Sequence, residues 1–174
     1  MITSIEPKAG RWLLLFGPRS MNATLLTAIA RLGERGALRV LDGGNRFNAY
    51  LVARAARGRP EVMNRITVSR AFTCYQVLSL LESTPAIQVP FVVLDMLSTF
   101  YDESVQVGER KRLLRSCITH LKRLERVAGG VVSVHPPSVP SLASQELWDL
   151  LQSSAADTFF VQPVAPAPEP MRLF

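Results

Sequence analysis

Two short stretches of this sequence hold residues whose types and spacing suit phosphate and metal chemistry. The apolar run FVVL is followed by Asp95, and a carboxylate at the end of a buried strand suits the magnesium ion of a nucleoside triphosphate. The stretch GPRSMNAT, residues 17–24, follows the apolar run WLLLF, where a phosphate-binding loop between a strand and a helix would lie. The pattern of such a loop, GxxxxGK followed by Ser or Thr, requires glycine and lysine where this chain has Asn22 and Ala23. Three interpretations are therefore open: a nucleotide site, the relic of one, or an ordinary strand-to-helix turn.

Other residues with chemical potential also stand where predicted strands end. They are Gly17, Asp42, Arg70, Asp95 and His135. Because ligands of an open parallel sheet bind at the carboxyl ends of its strands, we expect the site to include these residues. An alternative is an unrelated α/β enzyme that uses Asp42 and Asp95 as a carboxylate pair.

The elements that must position these residues alternate along the chain. Continuous apolar runs predict strands at 12–16, 38–42, 66–70, 91–95, 131–135 and 158–161. Helical patterns predict helices at 23–32, 47–57, 74–82, 109–127 and 144–153. We expect the glycines Gly129 and Gly130 to end the fourth helix in the left-handed conformation. The pattern predicts one three-layer α/β domain over 1–162, with a mostly parallel sheet between helices, and a flexible proline-rich tail over 163–174.

Composition bounds the partners and the compartment. The net charge is +6, and arginine dominates two basic segments, 8–70 and 110–126. Such an excess favours an anionic partner, since guanidinium groups suit phosphate geometry, although a solvated surface encoded by a GC-rich genome would look the same. The chain begins with no secretory signal and has no apolar run long enough to span a membrane. With Cys74 and Cys117 as free thiols, we expect a cytoplasmic protein.

Several stretches taken together resemble a known family. The order of GPRSMNAT, VLDGGNRF, RITVSRAFT, FVVLDMLSTFY, a basic helix and GGVVSVHPP is similar to the ATPase core of the RecA/RadA recombinases, over about residues 12–135. The resemblance implies a RecA-like P-loop NTPase fold. It also implies a nucleotide site that includes Gly17, Arg19, Ser20, Asn22, Thr24, Asp95 and His135.

The departures from the family pattern imply that catalysis is lost. Asn22 and Ala23 replace the second glycine and the lysine of the phosphate loop, and the water-activating glutamate falls at Gly44. Each loss removes a separate contribution to the rate, so we expect no enzyme activity and no cofactor, ATP and magnesium included. Asp95 matches the family's carboxylate, and His135 stands at its sensing amide. Arg19 offers a substitute cation in the same loop.

The resemblance also bears on DNA binding. The two DNA-binding loops of the family correspond to 101–108 and 136–143, which are short, and the first carries the acidic Asp102 and Glu103. No phenylalanine precedes the core, so we do not expect filaments of the family's kind. DNA contacts are instead expected from basic residues elsewhere: Arg46, Arg54, Arg57, Lys111, Arg115, Lys122 and Arg126.

Four functions follow from these observations. The first is a non-catalytic RecA/RadA-like accessory protein of DNA recombination or repair, which binds DNA without sequence specificity, a protein partner, or both. The second is an ATPase with a rearranged loop that uses Arg19, Thr24 and Asp95. The third is a protein-only adaptor or cell-division regulator on the same scaffold. The fourth is the carboxylate-pair enzyme introduced above.

The end of the chain suggests a protein partner. Met171, Leu173 and Phe174 follow a proline-rich linker and resemble the short peptides with which bacterial repair proteins dock on the sliding clamp. A few large apolar anchors would carry the affinity of such a segment. The alternatives are that these residues fold back on the domain or are disordered.

Overall fold

The computed structural model describes residues 5–163 of the chain, and these residues form one sheet flanked by helices. The strands are β1 (Trp12–Phe16), β2 (Leu38–Asp42), β3 (Ile66–Arg70), β4 (Phe91–Leu94), β5 (Gly130–Val134) and β6 (Asp157–Phe160). The helices are α1 (Met21–Arg35), α2 (Ala49–Ala55), α3 (Pro60–Arg65), α4 (Cys74–Ser83), α5 (Val107–Glu125) and α6 (Leu142–Gln152). A 3-10 turn, Ser98–Tyr101, follows β4.

The six strands are all parallel, in the order β3-β2-β4-β5-β1-β6. Helices cover both faces, which confirms the predicted three-layer α/β class and is consistent with a RecA-like P-loop fold. Two separate apolar cores lie on the two faces of the sheet. On β4, Phe91 and Val93 pack towards α4, α5 and α6, whereas Val92 and Leu94 pack towards α1, α2 and α3. Because successive residues of a strand face opposite cores, β1 and β4 are apolar at every position.

The direction of the chain explains the two helical layers. The connections that follow β1 and β2 run through α1, α2 and α3 on one face, whereas those that follow β3, β4 and β5 run through α4, α5 and α6 on the other. Right-handed crossovers impose this arrangement when the strand order reverses direction.

The helix predicted over 47–57 was wrong in its extent. Only α2 lies within it, ending before Arg57 and Gly58, which both have positive φ, +52° and +72°, and the separate helix α3 begins at Pro60, beyond the predicted range. A left-handed residue ends an α-helix, and proline is well suited to start the next one.

The expected cap at Gly129 and Gly130 was also wrong. Among the described residues only Gly10 and Gly58 are glycines with positive φ, and α5 ends earlier, at Glu125. A side chain at Gly129 would collide with the backbone of Pro7 and Lys8, and one at Gly130 with the ring of Phe91. These glycines allow close packing of β5 rather than an unusual backbone conformation.

Two other sequence-based expectations concern the chain as a whole. Between residues 5 and 163, no helix combines the length and the apolar character needed to cross a bilayer. The anchors predicted in the tail, Met171, Leu173 and Phe174, lie outside the described residues, as does nearly all of the proline-rich linker.

Candidate functional site

The residues predicted at strand ends meet at the carboxyl edge of the sheet. The loops after β1 and β2 leave towards one helical layer and those after β4 and β5 towards the other, so a crevice opens between them. The crevice is a cleft of about 470 Å3, open to solvent. Its lining includes Arg19, Arg46, Asp95, Tyr101 and His135. We call it the Asp95 cleft.

Asp95 is held by an arginine inside this cleft. The carboxylate is buried, and its Oδ2 accepts a hydrogen bond from Nε of Arg46 at 2.8 Å. Its Oδ1 accepts a longer bond, 3.3 Å, from the backbone N–H of His135, and its own N–H donates to Ser133 Oγ. Asp95 also has a positive φ of +50°, which turns the chain sharply after β4. The Arg46 guanidinium group thus lies at Asp95 Oδ2, where a metal ion would otherwise neutralise the carboxylate.

His135 links the loop after β5 to the loop after β1. Its Nδ1 lies 2.9 Å from the carbonyl oxygen of Gly17, and since a carbonyl only accepts, Nδ1 carries the proton. Its Nε2 is buried and has no hydrogen-bond partner among residues 5–163. The Tyr101 hydroxyl donates to the His135 carbonyl oxygen at 3.0 Å. Burial, with a smaller contribution from the charge of Asp95, raises the pKa of Tyr101, so this hydroxyl stays protonated and continues to donate.

Asp42 stabilises the loop after β2, and both of its carboxylate oxygens accept hydrogen bonds. The buried carboxylate accepts hydrogen bonds from the backbone N–H groups of Gly44, Arg46 and Phe47. It also accepts one from Nε of Arg70 at 3.2 Å. Because Asp42 and Asp95 each bind a different arginine, neither is a free carboxylate, and the geometry does not support the pair proposed from the sequence.

The stretch GPRSMNAT folds as a tight turn that leads directly into α1. The N–H of Met21 donates to the Pro18 carbonyl at 2.9 Å, and that of Asn22 donates to the Arg19 carbonyl at 3.0 Å. Met21 is buried and already begins the helix. A phosphate-binding loop instead keeps such N–H groups free to surround the phosphate, so this backbone offers fewer donors to an anion.

The residues predicted for a nucleotide are only partly brought together. Arg19, Asp95 and His135 line the cleft, whereas Ser20 and Thr24 do not. Asn22 is used structurally, since its Nδ2 donates to the Arg46 carbonyl at 3.0 Å and so ties α1 to the loop after β2.

Gly44 lies against Asp95, at the position where the resemblance to the recombinases implies a glutamate. A Cβ at this position would lie 2.5 Å from Asp95 Oδ2 and 2.6 Å from Asp95 Cβ. Any side chain there would collide with Asp95 in its present position. The absence of a side chain at Gly44 is therefore what allows Asp95 to pack against this loop.

The basic residues predicted to bind DNA divide between the two helical layers. Arg54 and Arg57 are exposed on the α1–α3 side, whereas Lys111, Arg115, Lys122 and Arg126 belong to α5 and its end on the other side. Lys111 pairs with Glu146 at 3.0 Å, and the partly exposed Arg46 pairs with Asp95 inside the Asp95 cleft. The predicted basic surface is thus two separate patches, and Arg46 belongs to neither.

Other arginines in the basic segments stabilise the fold. Their guanidinium groups donate to backbone carbonyl oxygens: Arg39 to Pro85 and Val89, Arg65 to Glu34, Arg110 to Phe100, and Arg123 to Leu81 and Thr84. Burial, and secondarily the charge of Arg123, lowers the pKa of Arg39. These guanidinium groups keep their charge, but fewer of their N–H donors remain for the phosphates of a partner.

Sequence reasoning missed the two residues that neutralise the buried carboxylates. Arg46 and Arg70 were read as a surface residue and as a strand end, but each binds an aspartate of a neighbouring loop or strand. A usable signal was present: two aspartates predicted to end buried strands each require a cation, and a metal or an arginine can supply it. Within residues 5–163, no three His, Cys, Asp or Glu side chains are grouped so that they could bind a metal ion.

Comparison with known proteins adds no assignment. No protein-family model matches the sequence, and no curated protein matches it. The function must therefore be argued from the geometry described above.

Proposed function

We propose that this protein is a RecA/RadA-like accessory factor of DNA recombination or repair that does not hydrolyse ATP and that binds DNA, a protein partner, or both. The observation that carries the proposal is the ion pair of Arg46 with the buried Asp95. In an active ATPase of this fold, the corresponding carboxylate serves the magnesium ion of the nucleotide. Here that carboxylate already has a cationic partner, and magnesium would have to displace it.

Two further features support the loss of hydrolysis. The N–H groups of Met21 and Asn22 donate to the carbonyl oxygens of Pro18 and Arg19 and are not free for a phosphate. Ala23 stands where the lysine would supply a cation. At Gly44 there is neither a glutamate nor space for one beside Asp95. The chain thus lacks both the lysine that would bind phosphate and the glutamate that would activate water, and either loss alone would reduce hydrolysis.

DNA binding is supported by the uncompensated cations of α5. Lys122 and Arg126 are exposed and form no ion pair within the described part of the chain. Arg115 is also exposed but shares a shallow cleft with Glu146 and Asp149, which reduces its attraction for an anion. The end of α5 is therefore the part of this layer where a phosphate backbone would gain most from Coulomb attraction.

Two measurements test the proposal. Steady-state ATPase assays should give no turnover above background, with or without DNA, and turnover that Asp95→Ala abolishes would overturn this. Duplex DNA binding should weaken steeply with salt, with a log–log slope of about −0.9 for each phosphate neutralised.

The DNA contact is tested by matched variants on one helix. Lys122→Gln with Arg126→Gln should reduce the salt slope by up to about two units. Arg112→Gln is the control, because Arg112 is similarly exposed but already bonded to Glu109 at 2.6 Å and 2.8 Å. Equal effects of the control and the double variant would contradict a specific contribution from this end of α5.

A second candidate, the protein-only adaptor, is favoured by a different observation. Several arginines stabilise the fold by donating to backbone carbonyl oxygens. Large apolar side chains are also exposed, among them Tyr50, Phe72, Val139 and Leu142. Exposed apolar side chains mark a protein contact where they form one contiguous patch. Absence of DNA binding at about 50 mM salt, together with absence of ATPase activity, would favour the adaptor.

A further inference from the structure

A second polar cleft lies between α1 and the connection from α2 to α3. It encloses about 400 Å3 and is open to solvent. Its polar lining residues are Thr27, Arg31, Glu34, Arg54, Arg57 and Arg59. We call it the arginine cleft. None of these residues lines the Asp95 cleft, so the two are separate sites.

Helical spacing explains how the arginines come to one place. Thr27, Arg31 and Glu34 are four and three residues apart, so they lie on one face of α1. Arg54 is in the last turn of α2, and Arg57 and Arg59 follow in the connection to α3. The packing of α1 against α2 and α3 turns these side chains towards the same cleft.

The arginine cleft carries an uncompensated positive charge. Four guanidinium groups line it, and Glu34 is its one acidic residue. Glu34 Oε1 accepts from Arg59 at 2.6 Å, which satisfies that pair. Arg31, Arg54 and Arg57 form no ion pair with any residue of the described range. Three like charges in one cleft repel one another unless an anion lies between them.

The backbone at Arg57 points to a role for its side chain. Arg57 directly follows Ala56, the C-cap of α2, with φ of +52°. Glycine is the residue that adopts this conformation without strain, so arginine makes the helix end less stable than glycine would. Because Arg57 is exposed, its side chain adds little packing there. What it adds over glycine is a charge directed at the cleft.

We propose that the arginine cleft is a phosphate-binding site. A guanidinium group donates two parallel hydrogen bonds to phosphate oxygens, and three such groups match a polyanionic phosphoryl ligand. The phosphate belongs either to a small phosphorylated molecule or to a nucleic-acid backbone, since both present the same oxygens. The proposal does not depend on the loss of ATP hydrolysis, because it involves neither Asp95 nor α5, and its nucleic-acid arm extends the proposed DNA binding to Arg54 and Arg57.

The test is a calorimetric titration of the whole protein with inorganic pyrophosphate at low salt. One binding site is expected, and Arg31→Gln with Arg54→Gln should weaken it about tenfold or more, since two charge-assisted hydrogen-bond donors are lost. Arg112→Gln removes an exposed guanidinium group from the opposite layer, one already bonded to Glu109, and should leave pyrophosphate affinity unchanged. Glu34 and Arg59 are left in place so that their ion pair stays intact.

Arg57→Gly separates ligand binding from backbone strain. It should raise the melting temperature, because glycine tolerates the left-handed conformation, and at the same time weaken pyrophosphate binding several-fold. A higher melting temperature with unchanged pyrophosphate binding would mean that only backbone strain was relieved, which would contradict the proposal for Arg57.

A competition arm identifies the source of the phosphate. Displacement of pyrophosphate by a short DNA duplex at constant ionic strength would assign the cleft to backbone phosphates, and failure to displace it would assign the cleft to a small ligand. If the wild type binds neither pyrophosphate nor DNA, or if the α5 control weakens pyrophosphate binding as much as the cleft variant does, the proposal is overturned.

Discussion

At the scale of single residues, the site is governed by how two buried carboxylates are neutralised. Burying an ionised carboxylate without a partner costs several kcal/mol, so each must find a cation or donors. Asp42 combines three backbone N–H groups with Arg70, and Asp95 combines one N–H with Arg46. Asp95 therefore depends more on its arginine than Asp42 does.

Truncation of Arg46 should measure that dependence. We expect Arg46→Ala to lower the free energy of unfolding by about 2 kcal/mol, because it leaves the buried carboxylate of Asp95 with one weak donor. The control, Arg126→Ala, removes an exposed arginine and should change stability by less than about 0.5 kcal/mol. Urea denaturation monitored by circular dichroism gives both values. A similar small change for the two variants would mean that the ion pair contributes nothing beyond a surface charge.

At the scale of elements, the helices differ in how their first N–H groups are satisfied. Ser141 caps α6 by accepting from the Ser144 N–H at 3.1 Å, and Ser144 Oγ in turn accepts from the Ser141 N–H at 2.9 Å. Thr73 caps α4 and Asn48 caps α2 in the same way, each with one side-chain bond. Ser20, at the start of α1, makes no such bond. α3 and α5 also begin without a side-chain cap bond, but Ser20 is of a residue type that commonly caps a helix, whereas Arg59 and Gln106 are not.

Two serine substitutions should therefore have different costs. Ser141→Ala should destabilise the protein by about 1 kcal/mol, the usual value of a lost N-cap, because the reciprocal pair with Ser144 is broken. Ser20→Ala should cost less than about 0.5 kcal/mol, since no cap bond is lost. Thermal or chemical unfolding of both variants provides the comparison. Equal losses would show that Ser20 caps α1 in solution.

At the scale of the whole molecule, two well-filled cores hold the layers together, and one of them contains both thiols. Cys117 and Cys74 are fully buried between α4, α5 and the sheet. Burial raises the pKa of Cys117 to about 12, and the nearby Cys74 adds to the shift. Burial also raises the pKa of Cys74. Buried, protonated thiols are poor nucleophiles, so both should resist alkylation while the protein is folded.

The raised pKa of Cys117 predicts a loss of stability at alkaline pH. The unfolded thiol ionises near pH 9, whereas the folded one keeps its proton until about pH 12. The contribution of the protonated Cys117 thiol to the free energy of unfolding is therefore complete below pH 9. It is lost as pH rises from 9 to about 12, by at most about 1.4 kcal/mol per pH unit for one thiol. Urea unfolding at several pH values should give a shallower decline for Cys117→Ala than for the wild type. The same decline in both would mean that another group, such as Tyr101, controls the alkaline transition.

The local pattern of the chain determined most of the architecture. The boundaries of β1, β2 and β3 were predicted to the residue; β1 is a five-residue apolar run, whereas β2 and β3 also contain polar residues. The position of α5 followed from helical spacing, and the rule on strand ends brought Gly17, Asp95 and His135 to one edge of a parallel sheet. These features depend on neighbours in sequence or on a general rule of topology.

Only the tertiary structure decided what the site contains. Arg46 and Asp95 are 49 positions apart, and their pairing depends on β2 and β4 being adjacent in the sheet. No periodicity signals such a contact, so Arg46 was placed on the surface. The separate helix α3 and the convergence of Arg31, Arg54 and Arg57 also escaped prediction, because they depend on a left-handed backbone conformation and on the packing of α1. Sequence patterns report which face of an element is apolar, whereas the partners of charged side chains are set by distances between elements that are remote along the chain.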